Sequence, residues 1–355
     1  MDGGEERRRP SNGSAVRSGA VKRFVSLVVD PFIIAIGFLA FAVTKHTPRL
    51  AFGSLRRLFV ATDGRFNDFA GRISARVHPP VQLAEARGVL GDLDEDAIDA
   101  LALTIERKGY HVFDARLDDG VCQRIVDFAK RTPATLIPAS DGATQATYDP
   151  EDPLAPRYEF EESRIFELPE LQELATDETF MAVAQAYLRC RPVNDLVAVW
   201  WSPAFGSQAS SEAAQLFHFD MDRLKFVKFF VYLTDVDVRQ GPHVYVASSH
   251  VRKPKAVRRD GRISDEEIIR AYGQDAIIEI TGQRGTVLAV DTRGFHKGKA
   301  PESGDRLLFQ VEYTNSLFGA PYNRMVIDGT WSEQALARVQ RNPEVFQRFE
   351  RPAQA

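Results

Sequence analysis

The texture of the chain changes after Pro192, and that change constrains the fold more than any other feature. Seven short apolar runs follow: Leu196–Trp201, Gln215–Asp220, Phe226–Leu233, His243–Val246, Ile277–Ile280, Thr286–Val290 and Leu307–Tyr313. They alternate in the manner of strands, are broken by turn residues, and show no helical period between them. Consecutive strands of this kind bury their apolar faces by pairing antiparallel in a sandwich or barrel. Upstream the period is helical. Leu93, Ile98, Leu101, Ala102 and Ile105 recur at three- and four-residue spacing, with Gly109 as a stop. A short strand at Tyr110–Phe113, a helix at Asp119–Ala129, a long Pro/Asp/Gly-rich surface loop over 138–157 and a helix near Leu171–Leu188 are expected next. The expected class is α+β with a mainly β core. It is a jelly roll (double-stranded β-helix, cupin-like) under a helical N-terminal layer, preceded by an apolar N-terminal helix.

Charge divides the chain. The net charge is -4, which gives no electrostatic reason to expect a nucleic-acid partner. Residues 1–88 nevertheless carry 14 Lys+Arg against 7 Asp+Glu, a net of +7, so the remainder sums to -11. The only cysteines are Cys122 and Cys190. A disulfide framework is therefore excluded, a Cys-based zinc site is not expected, and the composition suits a reducing cytosol. Any metal must be held by His and carboxylate.

Within the basic head, residues 1–23 are expected to be a disordered tail. Phe24–Val43 follows, 20 residues with only Ser26 and Asp30 polar, a length that matches a bilayer core. Asp30-Pro31 interrupts it and leaves 13 uninterrupted apolar residues, Pro31–Val43. Basic residues flank both sides, so orientation is not readable. Three readings stay open. One is a membrane anchor, supported by Leu50, Phe52, Leu55, Leu58 and Phe59 interleaved with Arg56 and Arg57 in an interfacial pattern. The second is a helix buried against the domain or a partner. The third is a cleaved targeting segment, disfavoured because no small-x-small site follows. The expected organisation is a tail over 1–23, an apolar or amphipathic helix over 24–60 and a linker over 61–92. A catalytic domain over 93–330 and a C-terminal helical tail over 331–355 complete it.

Four histidines fall in the β region: His218, His243, His250 and His296. In Gln215-Leu-Phe-His-Phe-Asp220 a predicted strand puts His218 and Asp220 on one face, with Cα atoms ~6.6 Å apart. That suits two ligands of one metal ion. The strand Thr286–Val290 runs into a loop ending at His296, and Arg306 opens the next strand across a hairpin. Two His and one carboxylate leave coordination positions open, the arrangement of non-haem Fe(II) oxygenases. Arg306 offers a planar fork for an acidic co-substrate.

These residues carry a family resemblance. The segments QLFHFD, FVYLTDVDVRQGPHVYVASSH and GTVLAVDTRGFHKG, followed by Arg306, resemble the phytanoyl-CoA dioxygenase-like branch of the Fe(II)/2-oxoglutarate-dependent oxygenases over roughly Leu101–Ser316. The likeness implies that His218, Asp220 and His296 bind Fe(II) and that Arg306 anchors the distal carboxylate of 2-oxoglutarate. O2 is the second co-substrate. It also implies oxidative decarboxylation to succinate and CO2, coupled to hydroxylation of a substrate C–H bond. Related halogenases lack the carboxylate that Asp220 supplies, so hydroxylation is preferred. The chain departs from the family at Ala247-Ser248-Ser249, where a Gly is usual, and at His243, where an apolar residue is usual.

Other residues bear on the site. Lys228 alternates with Phe226, Phe230 and Tyr232 and is either an inward co-substrate or substrate contact or a residue at a sheet edge. Trp200, Trp201, Phe205, Phe230 and Tyr232 are candidates to line a pocket or to fill the core. His243 and His250 are rival ligands read first as structural, and Asp291 is either a support for the metal or a turn residue. The basic run 252–259 is either a solvated loop or a contact for a phosphate-bearing substrate or lipid headgroup. The expected substrate is a small, lipophilic or acyl-type molecule. The expected location is cytoplasmic, with the domain attached to the inner face of a membrane through residues 24–60. A catalytically silent jelly-roll binding module at a membrane, or a zinc hydrolase, are the alternatives. The first has no chemical need for all four of His218, Asp220, His296 and Arg306, and the second leaves Arg306 without a purpose.

Overall fold

The computed structural model describes residues 12–81, 86–140, 142–206 and 208–350. Strands are labelled β1 (Tyr110–Arg116), β2 (Ala134–Ser140), β3 (Ala143–Ala146), β4 (Tyr158–Glu159), β5 (Val193–Pro203), β6 (Phe226–Tyr232), β7 (His243–Val246), β8 (Ile277–Ile280), β9 (Thr286–Val290), β10 (His296–Gly298) and β11 (Asp305–Thr314). The major sheet has eight strands in the order β1-β9-β6-β11-β5-β4-β2-β3, and a minor sheet has the order β8-β7-β10. All of these pairings are antiparallel. This is the expected jelly roll.

Strand alternation decides which side chains reach the interior. On β6, Val227, Phe229 and Val231 join the core beneath the helices, whereas Phe230 and Tyr232 face the minor sheet. On β11, Leu307, Phe309, Val311 and Tyr313 take the helical side, and Leu308 the other. Both faces are covered, so every residue of β6 is buried. Helices Glu95–Lys108, Asp119–Arg131 and Glu178–Leu188 supply Ile105, Cys122, Ile125, Phe180 and Val183 to the covered face. Gly109 ends the first of them at φ 85°, a left-handed conformation that glycine adopts without a Cβ clash.

Several expectations need correction. Gln215–Asp220 is not a continuous strand: its pairing is confined to bridges at Phe217 and His218. One short helix, Asp265–Tyr272, stands among the β runs, opened by a Ser264/Glu267 capping box. The 138–157 loop begins as the hairpin β2–β3, and the helix near 171–188 is broken at Asp177, which caps Glu178–Leu188.

The head is three helices: α1 (Asn12–Thr44), α2 (Arg49–Thr62) and α3 (Arg65–Val77). Helix α1 begins inside the stretch expected to be disordered, since nothing between Asn12 and Asp30 breaks a helix outright; residues 1–11 lie outside the described residues. It also runs through Pro31. Pro48 sits at the N-cap of α2, so 24–60 forms an antiparallel pair rather than one helix. The crossing is close: a Cβ on Gly37 would stand 2.3 Å from that of Ala51. Asp30, 3% exposed, receives Arg57 at 2.6 Å. The expected linker 61–92 contains α3, whose Asp68 pairs with Arg293 at 2.9 Å. The expected C-terminal tail is packed, with Ala335, Val339, Val345, Phe346 and Phe349 in the main core; residues 351–355 lie outside the described residues. Ser26–Thr44 is long and apolar enough to cross a membrane, and 17% of its most apolar window is buried.

Candidate metal centre

His218 and His296 are directly opposed. Each backbone N–H donates to the other's carbonyl, at 3.0 and 2.9 Å, so both side chains leave on one face. The Asp220 N–H donates to Thr292 O at 2.8 Å, which ties the one carboxylate of the group to the loop leading into His296. The three side chains bring ligand atoms within 4.8 Å of one another. His218 Nε2 and His296 Nε2 each lie 3.7 Å from an Asp220 oxygen. The Nδ1–H groups donate to Leu216 O (2.9 Å) and Gly294 O (3.0 Å), which leaves both Nε2 lone pairs turned inward. Burial, reinforced by His296, pushes His218 down to about 3. Burial also lowers His296 against the pull of Asp220. Burial alone would raise Asp220, but Lys228 and the two histidines outweigh it and keep the carboxyl ionised. Two neutral imidazoles and one carboxylate fit a divalent iron ion.

Lys228 points inward as its parity requires. Its Nζ donates to Asp220 Oδ2 at 2.8 Å and lies 3.4 Å from Glu312 Oε2. Burial would discharge it, yet Asp220 and Glu312 hold it protonated. Burial also pushes the Glu312 carboxyl well above the ordinary range. The ammonium is thus occupied by the carboxylate that faces the histidines.

Arg306 forms another wall of the same cavity, which has a volume of about 190 Å³. It is 4% exposed, donates to Gly241 O, and lies 3.4 Å from Ser202 Oγ. Its Nε has no partner, and among the described residues no carboxylate pairs with it. Burial depresses it to about 10. Gly241 holds its carbonyl at this position with φ 74°, where a Cβ would stand 2.6 Å from Lys299 O.

The structure brings His218, Asp220, Lys228, His296 and Arg306 to one cavity. Trp200 and Phe230 line it, whereas Trp201 packs in the helical core, Tyr232 lies in the barrel core and Phe205 is 39% exposed. His243 also faces the cavity, its ring 5.6 Å from that of His296, with Nε2 unpartnered. His250 is elsewhere, donating to Glu106 O at 3.0 Å. Asp291 is fully buried and bonds Tyr187 and Arg293, pinning the loop that carries Thr292 and His296. The basic run 252–259 lines clefts beside α2, away from this cavity.

Sequence reasoning missed Arg157, Gln310 and Glu312. Arg157 lies 4.2 Å over the Trp200 ring and pairs with Glu159 at 2.6 Å, and both line the cavity with Gln310. Strand parity with Arg306 was the signal for Gln310 and Glu312; Arg157 sits in the stretch read as a surface loop.

The family profile described as Phytanoyl-CoA dioxygenase (PhyH) matches residues 105–307. No curated protein matches. Among solved structures, the chain is similar to EctD from S. alaskensis with bound Fe, at 18% identity and TM-score 0.48, covering 78% of this chain and 98% of that one. It is also similar to the non-heme alpha ketoglutarate dependent epimerase SnoN from nogalamycin biosynthesis, at 18% identity and TM-score 0.43, covering 62% and 84%. AviO1 from Streptomyces viridochromogenes Tue57 matches at 17% identity and TM-score 0.42, covering 63% and 96%.

Proposed function

The chain belongs to the phytanoyl-CoA dioxygenase family, and from that premise we propose that it hydroxylates a C–H bond of a small-molecule substrate in the cavity between its two sheets. It is an oxygenase-type enzyme whose cofactors are Fe(II) and 2-oxoglutarate, with O2 as co-substrate. When bound, that set supplies an oxidant able to break a C–H bond, and 2-oxoglutarate leaves as succinate and CO2.

The protein's share is positional. His218, Asp220 and His296 hold the metal through two Nε2 atoms and one carboxylate. Hydrogen bonds to Leu216 O and Gly294 O fix both imidazole tautomers. Lys228 orients Asp220 by donating to Oδ2 from the wall of the same cavity. Arg306 receives the distal carboxylate of 2-oxoglutarate. One observation carries this reading: a buried guanidinium with no carboxylate partner among the described residues shares a cavity with the His/Asp/His cluster. An unpaired buried cation is costly, and an anionic ligand removes that cost. A silent binding module has no reason to bear it. The cavity also carries Arg157, Glu159 and Gln310, so the substrate has polar groups beside any acyl or lipophilic part. The helical head attaches the enzyme to a membrane, with the catalytic domain on the cytoplasmic side.

The test is anaerobic titration with Fe(II) and 2-oxoglutarate, watching for a weak visible charge-transfer band. The wild type should develop the band, and Asp220→Ala and Arg306→Gln should weaken it or remove it. A wild type without the band, or a band unchanged in Asp220→Ala, defeats the oxygenase reading.

A further inference from the structure

Helix α1 has two faces of opposite fate. Asp30, Ile34, Gly37, Phe38 and Phe41 turn toward α2 and the body, where Phe38 stacks on Phe318 with ring centroids 3.8 Å apart. The opposite face is wholly apolar. Val28, Phe32, Ile36, Leu39 and Val43, with Ala35 and Ala42 between them, fall within about 120° of arc and are all exposed. Phe32, Ile36 and Leu39 are 70%, 68% and 72% exposed. No described residue covers this stripe.

The N-terminal end of the described stripe runs into positive charge. Leu27 lines one cleft and Ser26 its neighbour, both walled by Lys255 and Arg258. Some cations there are neutralised locally: Arg56 by Asp260 at 2.7 Å and Arg258 by Asp63 at 3.2 Å. Arg65, Arg252 and Lys255 also line these clefts, and no described carboxylate pairs with them. In sequence, Lys22 and Arg23 immediately precede the stripe.

We infer that α1 lies half-embedded in the headgroup layer of an anionic phospholipid membrane, its stripe in the acyl boundary and the Arg65/Arg252/Lys255 clefts on lipid phosphates. An apolar stripe flanked by uncompensated cations is complementary to that surface and to no aqueous one. Spanning is disfavoured by the other face: crossing the bilayer would break the Asp30–Arg57 pair at 2.6 Å and strip Phe38 from Phe318. This rests on the membrane-attachment reading above and is independent of the oxygenase chemistry.

The experiment is co-sedimentation of the full chain with vesicles of phosphatidylcholine alone and of phosphatidylcholine with phosphatidylglycerol. The protein should pellet with the anionic vesicles, leave them as salt is raised, and be extracted by alkaline carbonate. The triple variant Arg65→Gln/Arg252→Gln/Lys255→Gln should bind them roughly a hundredfold more weakly, at about fivefold per lost charge. Phe32→Ser/Ile36→Ser/Leu39→Ser should abolish binding while keeping the wild-type circular dichroism and melting temperature. Equal binding to both vesicle types would overturn the headgroup inference and leave attachment standing. Binding to neither would overturn both. Resistance to carbonate would mean a spanning helix and overturn the interfacial geometry. A dimer that the stripe variant converts to monomer, with vesicle binding unchanged, would make a second copy the occupant and overturn it too.

Discussion

Phe59 of α2 stacks on Phe219, the residue between His218 and Asp220, with ring centroids 5.6 Å apart. The side chains of His218 and Asp220 and the ring between them point to opposite sides of the same segment. The helical head therefore packs directly on the back of the candidate metal centre. Phe295, next to His296, meets Phe219 edge-on at 5.2 Å and completes the support. This apolar wedge supports the segment from behind, where among the described residues the segment has only bridge pairing of its own.

Truncating the wedge should cost both stability and metal affinity. Phe59 is 1% exposed, so Phe59→Ala should lower unfolding free energy by about 3–4 kcal/mol. It should also weaken Fe(II) binding, measured by titration under anaerobic conditions. Phe69→Ala on α3, where the ring is 54% exposed, should change stability by about 0.5 kcal/mol or less. Equal effects of the two would refute a special role for α2.

Lys228 offers a second test. Its Nζ serves both Asp220 and Glu312, so Lys228→Met leaves the partly buried Asp220 and the buried Glu312 without their cation. The metal-free protein should lose about 3 kcal/mol or more. A divalent ion restores positive charge beside Asp220, so the rise in melting temperature on adding Fe(II) should be larger in Lys228→Met than in wild type. A smaller rise would mean that Lys228 helps the metal bind by orienting the carboxylate more than it competes for it.

The jelly roll was legible because strand parity is local: His243–Val246, Ile277–Ile280 and Thr286–Val290 are strands with the expected bounds. The candidate site was legible to this extent: His218, Asp220, His296 and Arg306 keep a recognisable order and spacing, and the structure brings all four to one cavity. What escaped depends on distant partners. The segment 215–220 has a strand's composition, but its neighbours pair with it at Phe217 and His218 alone. The stretch 61–92 reads as a linker until Asp68 meets Arg293, 225 residues away. Asp30-Pro31 looks like a break in an anchor until Arg57 supplies the cation that lets Asp30 be buried. Gln310 and Glu312 were readable from parity with Arg306, but only the cavity wall gives Gln310 a role and only the Lys228 ammonium gives Glu312 one.

Arg306 should show opposed effects on stability and binding. Its guanidinium is buried without a carboxylate partner among the described residues. Arg306→Met removes that desolvated charge, so the protein without co-substrate should melt no lower than wild type and should gain stability. Stabilisation by 2-oxoglutarate should vanish in the variant. For wild type it should reach about 2.7 kcal/mol when the ligand is a hundredfold above its Kd. Paired melts with and without 2-oxoglutarate read both effects. Retained stabilisation in Arg306→Met would move the carboxylate to another cation, Arg157 being the first to examine.

Lys253 gives a pH-dependent prediction. Its Nζ donates to Ser249 O at 3.0 Å and lies 5.2, 5.0 and 6.0 Å from the ring centroids of Phe59, Phe219 and Phe295. Burial pushes the ammonium down to about 7, against the pull of Asp63 and Asp291. An unfolded lysine keeps its proton to about 10.4. Between those two values the unfolded chain binds the extra proton, so this group makes stability rise with pH, by up to about 1.4 kcal/mol per pH unit. Below pH 7 both states are charged and the folded protein carries the full burial penalty. Lys253→Met removes the group from this linkage. Its stability relative to wild type should therefore be most favourable at pH 6 and should decline steadily toward pH 10. Urea unfolding of the two proteins at pH 6, 8 and 9.5 measures that difference, and a difference independent of pH would mean that Lys253 stays charged within its aromatic surroundings.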